Sequence, residues 1–512
     1  MKIKDYKPHI DGLRALAVLP VIFFHAGYSF FQGGYVGVDV FFVISGYLIT
    51  SLILKDLKLK KFSLSNFYLR RSRRILPALY LITFISIIGS IFLIPNEELN
   101  FFSKQSISVV LFISNFFFWR NTGYFDQNSE LQPLLHTWSL SVEEQFYIFF
   151  PIFLILVWKF LQSKIKFILL VIIFLSFISS QVGGNFKIQN LSNEFPFFQL
   201  PFNFFWQAGS ANFYLPFGRI WELLIGSLIS IYTFKKRFKF SKSDNYLSSV
   251  GLILIIISIF AYSENIQYPS IFTVLPVLGT SLIILYSGNS SLTYKILTLK
   301  PLVYLGLISF SLYLWHQPLL AFNRIYFGVE LSFFHTALII LASLLLSIIS
   351  WKFIERPFRN KKIISDKKAI ISIVVSSIII LFLSVLIYSS KIESAQKKLP
   401  IEIINSFNSV DKTNCLDLDY AHLDGKDWYC ELGDKSKKIY FAVVGDSHAL
   451  ALKSVFDSVA KNLGKKGLLT GFSGCPGLIG INSVRPDHNI KNCKSLNDKL
   501  YRFVEETKIK KV

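Results

Sequence analysis

The sequence predicts a bundle of α-helices that crosses a membrane many times, followed by a small α/β domain. Apolar residues make up 52% of the 512 residues, and Phe alone contributes 52. Many segments stay apolar over the roughly 17 or more residues that a spanning helix needs. Near the C-terminus, IYFAVVGDS (439–447) is typical of a buried strand ending in a glycine turn, and ALALKSVFDSVAKN (449–462) of an amphipathic helix.

Apolar segments indicate eleven spanning helices, about ten in a bundle and one linking helix. The predicted spans lie near residues 10–27, 36–54, 75–94, 139–158, 165–181, 217–234, 247–262, 271–287, 302–322, 333–353 and 369–389. The apolar segment 106–118 is not predicted to span the membrane. Runs of about 10–14 residues are more often interfacial, re-entrant or buried in protein.

The positions of the basic residues predict the orientation of these helices. With 106–118 excluded, the loops on the N-terminal side carry 27 Lys and Arg residues and the opposite loops carry 4. Cytoplasmic loops are the basic ones, so we expect the N-terminus inside and the tail from about residue 390 outside. If 106–118 also crossed, this asymmetry would be lost and the cysteine-bearing tail would lie in the reducing cytoplasm.

The formal net charge of +22 does not indicate nucleic-acid binding, because the loop asymmetry already accounts for it. We expect a lipid bilayer as a partner and no nucleic acid. The first apolar helix contains Arg14 and lacks an A-x-A-like site, so we expect it to remain in the membrane.

The four cysteines, Cys415, Cys430, Cys475 and Cys493, all follow residue 390. An even number at one end predicts two disulfides in an oxidising compartment, and four buried free thiols are the alternative. The pairs Cys415–Cys430 and Cys475–Cys493 would close short loops of 14 and 17 intervening residues.

Residues 9–50 place polar groups inside apolar helices, where a charge costs several kcal/mol and faces protein or water. Asp11, Arg14 and His25 fall on the first helix, and Asp39 falls on the second. Arg14 and His25 are eleven residues apart, which returns them to nearly the same helix face about 16 Å apart. A polar path from one side of the membrane to the other is therefore predicted.

A family resemblance rests on six motifs. They are HIDGLRALAVLPVIFFHAGYSFFQGGYVGVDVFFVISGYLIT (9–50), FYLRRSRRILPALY (67–80), LLHTWSLSVEEQFY (134–147), GRIWELLIG (218–226), SFSLYLWHQPLL (309–320) and FIERPFR (353–359). Over about residues 5–360 the chain resembles the acyltransferase-3 family of integral-membrane O-acyltransferases. The strand, GDS turn and helix near 439–462 resemble the first block of SGNH/GDSL-type hydrolase domains, which often follow this membrane domain.

The resemblance implies an O-acyltransferase of the bacterial cytoplasmic membrane with an extracytoplasmic C-terminal domain. It would move an acyl group, expected to be acetyl, from cytoplasmic acetyl-CoA to a hydroxyl of a cell-surface glycan such as lipopolysaccharide O-antigen, exopolysaccharide or peptidoglycan. Acetyl-CoA would be a co-substrate, and no metal is expected. Two alternatives remain at this point: a transporter or flippase that uses the intramembrane polar path, and an inactive membrane scaffold.

His25 and His316 are the first candidate catalytic residues, since both are expected about 21–23 Å from the inner surface. A neutral imidazole can accept a proton from a sugar hydroxyl and return it to the leaving thiolate. A structural hydrogen bond to a neighbouring helix is the alternative for each histidine.

Five arginines are candidates for binding the CoA phosphates: Arg14, Arg70, Arg71, Arg73 and Arg74. The last four form RRSRR, where an R-x-x-R spacing occurs twice, and guanidinium groups suit phosphates. Simple anchoring at the inner membrane surface is the alternative.

Glu143 and Glu144 are the candidate carboxylates, expected with His136 near the outer face, where they would bind sugar hydroxyls or be merely solvated. Arg219 and Glu222 are spaced i, i+3, which predicts an intrahelical ion pair.

In the C-terminal domain, the resemblance makes Ser447 the nucleophile and Asp446 part of the turn motif. A serine needs a base, and no D-x-x-H follows Ser447; DYAH (419–422) has the spacing but lies upstream. We therefore expect an incomplete domain in which Ser447 has no base for hydrolase-like chemistry. The predicted domains are 1–360 for the acyltransferase part, 369–389 for the linking helix, 390–438 for a connector and 439–512 for the partial SGNH-like domain.

Overall fold

Two units make up the computed structural model, Met1–Gln396 and Lys397–Val512. The structure describes residues 6–121, 129–185, 208–234, 242–263, 266, 268–328, 331–395, 429–471 and 487–512. The predicted DYAH segment and Cys415, Cys475 and the side chain of Cys493 lie outside the described residues.

The first unit is helical. Its α-helices are α1 (Pro8–His25), α2 (Gly37–Lys58), α3 (Leu64–Leu93), α4 (Asn96–Val110), α5 (Ser114–Arg120), α6 (Thr137–Phe160), α7 (Ile165–Asn185), α8 (Ala208–Tyr214), α9 (Ile220–Thr233), α10 (Lys242–Ala261), α11 (Val274–Tyr286), α12 (Leu292–Leu297), α13 (Lys300–Phe327), α14 (Phe333–Ser350), α15 (Arg356–Arg359) and α16 (Asp366–Tyr388). Short 3₁₀ turns precede α2, α6 and α11, and a π-helical turn, Trp351–Glu355, joins α14 to α15.

Every predicted span corresponds to a helix. Among the described residues, eight helices are long and apolar enough to cross a membrane. They are Ser29–Lys58, Leu64–Leu93, Thr137–Phe160, Gln162–Gln181, Ser243–Ala261, Lys300–Phe327, Phe333–Arg359 and Asp366–Tyr388. Two shorter apolar helices are Ile220–Thr233 and Ile271–Tyr286. The remaining predicted span, α1, carries Asp11, Arg14 and His25. The predicted fold class is confirmed, and the protein is a multi-pass membrane protein.

The segment 106–118, excluded from the spans, is interrupted. The chain turns between α4 and α5 at Phe112, whose φ of 55° lies in the left-handed region. Serine side chains define the starts of three longer helices by accepting a backbone N–H, namely Ser63 at α3, Ser332 at α14 and Ser365 at α16.

Close helix packing brings the polar residues together. Helix α1 packs against α13, and α2 packs against α9. At Gly306 of α13, a Cβ would lie 1.8 Å from the carbonyl oxygen of Asp11 on α1. At Gly46 of α2, a Cβ would lie 1.8 Å from the carbonyl oxygen of Leu223 on α9. Small residues permit such backbone approach between membrane helices.

The second unit contains a three-stranded sheet in the order β1-β3-β2, formed by β1 (Cys430–Gly433), β2 (Ile439–Gly445) and β3 (Lys466–Gly471). Strand β3 is antiparallel to β1 and parallel to β2. Helices α17 (Ser447–Ala451) and α18 (Lys453–Asn462) connect β2 to β3, and α19 (Asp487–Thr507) follows. The predicted strand, turn and helix are therefore present.

Beyond α19, the chain runs beside β2 as a further extended segment. Phe441 and Lys511 form a parallel bridge, and the Ala442 amide donates to the Lys511 carbonyl at 2.9 Å. Cys430 is disulfide-bonded, and no described cysteine is free. This supports oxidised cysteines, and the proposed pairing stays a prediction.

Candidate active site

His25 and His316 meet inside the bundle. His25 ends α1 and His316 lies within α13, and the close contact at Gly306 joins these two helices. The distance from His25 Nδ1 to His316 Nε2 is 2.9 Å, and the rings are nearly parallel with centroids 5.2 Å apart. Two histidines predicted at similar depth are thus hydrogen-bonded partners. His316 is fully buried, whereas His25 is partly exposed.

The hydrogen bonds assign the ring protons of this pair. His316 Nδ1 lies 2.6 Å from the backbone carbonyl oxygen of Tyr313, which can only accept, so Nδ1 carries the proton. His316 Nε2 is then an acceptor, and His25 Nδ1 donates to it. His25 Nε2 consequently keeps its lone pair, which is the requirement for a general base.

A further contact with α13 holds the end of α1 in place. Arg324 Nη2 of α13 donates to the backbone carbonyl oxygen of His25 at 2.7 Å, and Arg324 Nε pairs with Glu130 at 3.4 Å. Sequence reasoning missed Arg324, although its place eight residues after His316 puts it on the same stretch of α13.

A cavity with largely apolar walls and a small group of charged side chains adjoins α1, α2, α3, α6 and α13. It encloses about 790 Å³ of space, open solvent at its mouth included. Its charged lining residues are Arg14, Arg71, Arg74 and Glu143, which give it a net positive charge. The Arg71 guanidinium stacks over the Tyr147 ring at 5.0 Å, and Arg14 contacts Asp11 at 3.3 Å. A donor with several phosphates suits such a lining.

The other two predicted arginines do not line this cavity. Arg70 is half-exposed and pairs with Asp56 at 2.8 Å. Arg73 is buried and pairs with Asp366 at 2.9 Å while also donating to the Ile364 carbonyl. Positions 71 and 74 are spaced i, i+3 and share one face of α3. Positions 70 and 73 have the same spacing and share the adjacent face. Only one of the two R-x-x-R pairs therefore faces the cavity.

Glu143 lies with the arginines rather than with His136 at the outer helix end. It lines the cavity and accepts a hydrogen bond from Ser45 of α2. Glu143 is six residues into α6, about 9 Å along the axis, which carries it past the helix end into the bundle. Glu144 is also buried. The alternative in which the two carboxylates are merely solvated does not hold, and a role in binding sugar hydroxyls stays a prediction.

Tyr313 connects the cavity to the histidines. Its ring lies 5.4 Å from the His316 ring and 5.4 Å from the His136 ring, and Tyr313 also lines the cavity. Its hydroxyl is 2.7 Å from Ser139 Oγ and donates to the His136 carbonyl at 2.9 Å. Sequence reasoning did not select Tyr313, although it lies one helical turn before His316 in SFSLYLWH.

A second buried charge cluster joins α2 to α9. Arg219 and Glu222 form the predicted ion pair at 3.3 Å, and Arg219 also binds Asp39 at 2.8 Å. Tyr268 donates to the other Asp39 oxygen. All of these donors and acceptors belong to the chain itself, so the cluster locks α2 to α9. The partnership of Asp39 with Arg219 was not predicted, because it joins residues 180 positions apart.

In the C-terminal unit, Ser447 is the first residue of α17, directly after β2, as the strand-turn-helix pattern predicted. The side chain of Ser447 lies outside the described residues. Asp446 caps α17 by accepting from the His448 amide at 3.0 Å and pairs with the His448 ring at 3.0 Å. The hydrogen bond from the His448 backbone lowers the pKa of Asp446 below its usual range.

Two protein families match this chain, one over each of its parts. Residues 8–352, which carry the histidines and the cavity, match the acyltransferase domain family, and residues 414–512 match the SGNH domain that is found fused to such domains. No solved structure matches the chain.

Three curated relatives illustrate the likeness. Peptidoglycan O-acetyltransferase OatA of Listeria monocytogenes is 32% identical over 71% of this chain and 57% of its own length. O-acetyltransferase OatA of Staphylococcus aureus is 30% identical over 77% of this chain and 64% of its own. The putative peptidoglycan O-acetyltransferase YrhL of Bacillus subtilis is 31% identical over 70% and 55%.

The matched region thus spans between about half and two thirds of the length of these relatives. The family match covers well over half of the chain and contains the histidine pair, the arginine-lined cavity and the buried Arg219 cluster. The chain therefore belongs to the acyltransferase-3 family of membrane proteins and carries a C-terminal SGNH domain.

Proposed function

We propose that the protein transfers an acetyl group from cytoplasmic acetyl-CoA to a hydroxyl of a cell-wall glycan, with peptidoglycan as the acceptor. The observation that carries the proposal is the connected arrangement of an arginine-lined cavity, Tyr313 and a histidine with a free lone pair. The acceptor class follows the printed names of the relatives in Listeria and Bacillus.

The donor would bind by its phosphates. Arg14, Arg71 and Arg74 line one cavity with a single carboxylate, Glu143, so an anionic ligand is electrostatically favoured there. Glu143 is held by Ser45, which keeps the carboxylate fixed among the guanidinium groups. The arm that carries the thioester would then extend from the arginines past Tyr313 towards His25.

His25 would be the general base and then the general acid. Its Nε2 lone pair accepts the proton of the attacking glycan hydroxyl, and the same proton returns to the CoA thiolate as it leaves. His316 accepts the Nδ1–H of His25 at 2.9 Å, so it fixes the productive tautomer and orientation. His316 is thus a positioning residue in this mechanism.

The proposed cellular location is the bacterial cytoplasmic membrane, with the N-terminus inside and the SGNH domain outside. The asymmetry of 27 against 4 basic residues in the loops supports this orientation. The disulfide at Cys430 supports an oxidising compartment for the C-terminal unit. Acetyl-CoA and the glycan would then reach the histidines from opposite sides.

A complementation experiment tests the proposal. The full chain is expressed in a bacterium whose own peptidoglycan O-acetyltransferase has been deleted, and mass spectrometry measures O-acetyl groups on its muropeptides against an empty-vector control. We expect the acetyl groups to return. Unmodified muropeptides despite stable protein in the membrane would contradict the peptidoglycan assignment. Purified protein that turns over no acetyl-CoA with glycan fragments would contradict acetyl transfer and favour a transporter or scaffold.

A further inference from the structure

His136 is a buried histidine to which the proposed mechanism gives no role. It lies directly before α6 and is only 1% exposed. Its ring packs edge-on against the Tyr313 ring at 5.4 Å and against the His316 ring at 5.5 Å. Among the described residues, neither ring nitrogen has a hydrogen-bond partner.

An imidazole in that position has unused hydrogen-bonding capacity. A neutral ring has one N–H donor and one acceptor, and leaving a buried polar group unpaired costs about 1–3 kcal/mol. A phenyl ring would fill the same space without that cost. The two orphaned nitrogens therefore point to a ligand that is bound during function.

The backbone of His136 is held independently of its ring. Its carbonyl oxygen accepts from the Tyr313 hydroxyl at 2.9 Å and from Ser139 Oγ at 3.3 Å. Both donors sit beside the arginine-lined cavity, which places the ring at the junction between that cavity and the histidine pair. Both His25 and His136 pack against the His316 ring, with centroid distances of 5.2 Å and 5.5 Å.

The proposed mechanism has so far no hydrogen-bond donor for the carbonyl oxygen of the acyl group. In acyl transfer, negative charge develops on the carbonyl oxygen of the acyl group, and a positioned N–H stabilises it. His25 and His316 are both committed to the proton of the attacking hydroxyl. His136 also lies at the N-terminus of a helix of 24 residues, where the helix dipole favours negative charge.

We propose that His136 donates a ring N–H to the carbonyl oxygen of the acetyl group during transfer, an inference that rests on the proposed function. The glycan hydroxyl oxygen bonds to the carbonyl carbon while its proton moves to His25 Nε2, and the carbonyl π electrons move to the oxygen that faces His136. When the carbonyl re-forms, the carbon–sulfur bond breaks and the thiolate takes the proton from His25. The products are the glycan acetyl ester and CoA with a free thiol.

Two variants of similar size separate donation from packing. His136→Gln keeps an N–H donor, whereas His136→Met does not. Acetyl-CoA turnover is measured with purified full-length protein in nanodiscs and peptidoglycan fragments. We expect the Met variant to lose about 10²–10³ in kcat, the usual cost of one such donor, with little change in the KM for acetyl-CoA. The Gln variant should turn over at least about tenfold faster than the Met variant.

His335→Met is the matched control, because His335 lies on α14 and its ring already bonds Asn323 at 3.1 Å. It should keep wild-type turnover. Thermal unfolding of each variant is recorded, and if the Met variant does not fold, His136→Phe replaces it as the variant without a donor.

The outcomes distinguish this role from the proposed function. Equal kcat values for folded variants with and without the donor, beside an active wild type, would overturn the role of His136 alone. A selective rise in the KM for acetyl-CoA would also overturn it, since that result indicates donor binding. A wild-type protein without turnover would overturn the proposed function and this role with it.

Discussion

Replacing His316 with leucine removes the acceptor that sets the ring protons of His25. In the structure His25 Nδ1 and His316 Nε2 are 2.9 Å apart, and His316 is fully buried. Without His316, the neutral His25 ring is free to place its proton on Nε2, the atom that must act as the base. His25 itself remains, so the reaction should slow without stopping.

The size of the effect follows from the hydrogen bond that is lost. When His25 becomes an imidazolium in the transition state, its Nδ1–H bond is charge-assisted and worth about 1.5–3 kcal/mol. We therefore expect kcat to fall about ten- to a hundredfold, less than the 10²–10⁴ typical of losing the base itself. The KM for acetyl-CoA should hardly change, because His316 does not line the cavity.

The assay is acetyl-CoA turnover by purified protein in nanodiscs, with His316→Gln beside His316→Leu and His335→Leu as the control. A glutamine oxygen can accept the Nδ1–H, so the Gln variant should recover part of the loss. A well-folded Leu variant within threefold of wild type would refute the tautomer argument. A loss as large as that of His25→Ala would instead make His316 the base.

Arg74→Gln should raise the KM for acetyl-CoA about ten- to a hundredfold, because one charge-assisted contact is lost. Arg70→Gln, the control, should change this KM less than about twofold. Equal effects of the two substitutions would contradict the assignment of Arg74 to the face of α3 that lines the cavity. Gly46→Ala should cost about 1–3 kcal/mol or more in stability, read as a lower melting temperature, because its Cβ would meet a backbone oxygen at 1.8 Å. Gly209→Ala, with open space around it, should melt like wild type, and an unchanged melting temperature for both would refute the packing argument. Ser447→Ala should reduce glycan acetylation less than His25→Ala does. An equal loss of acetylation in the two variants would mean that Ser447 obtains a base from elsewhere.

The sequence predicted how deep the polar residues lie in the membrane domain, but it did not predict the direction in which their side chains point. Apolar runs located the helices, and counting residues at 1.5 Å each placed His25 and His316 at a common depth, where the structure joins them. Which way a side chain points around its helix depends on packing with other helices. Arg70 and Arg73 therefore found acidic partners instead of the cavity, and Glu143 joined the arginines.

Long-range partners were equally hard to foresee. The Asp39–Arg219 contact and the Tyr313–His136 contact each join residues more than 170 positions apart, and no local pattern encodes them. Both lie within motifs that carry the family resemblance. In those motifs the spacing reveals that polar residues are buried, and only the packed helices reveal which polar residues meet.

The central claim is that His25 transfers the proton in acetyl transfer from acetyl-CoA to a glycan. The most direct test compares wild type, His25→Ala and His335→Ala in nanodiscs, with the release of free CoA and the acetylation of peptidoglycan fragments measured together. We predict that His25→Ala folds, binds acetyl-CoA and loses about 10²–10⁴ in kcat, while His335→Ala remains active. A folded His25→Ala protein with near-native acetylation would contradict the claim.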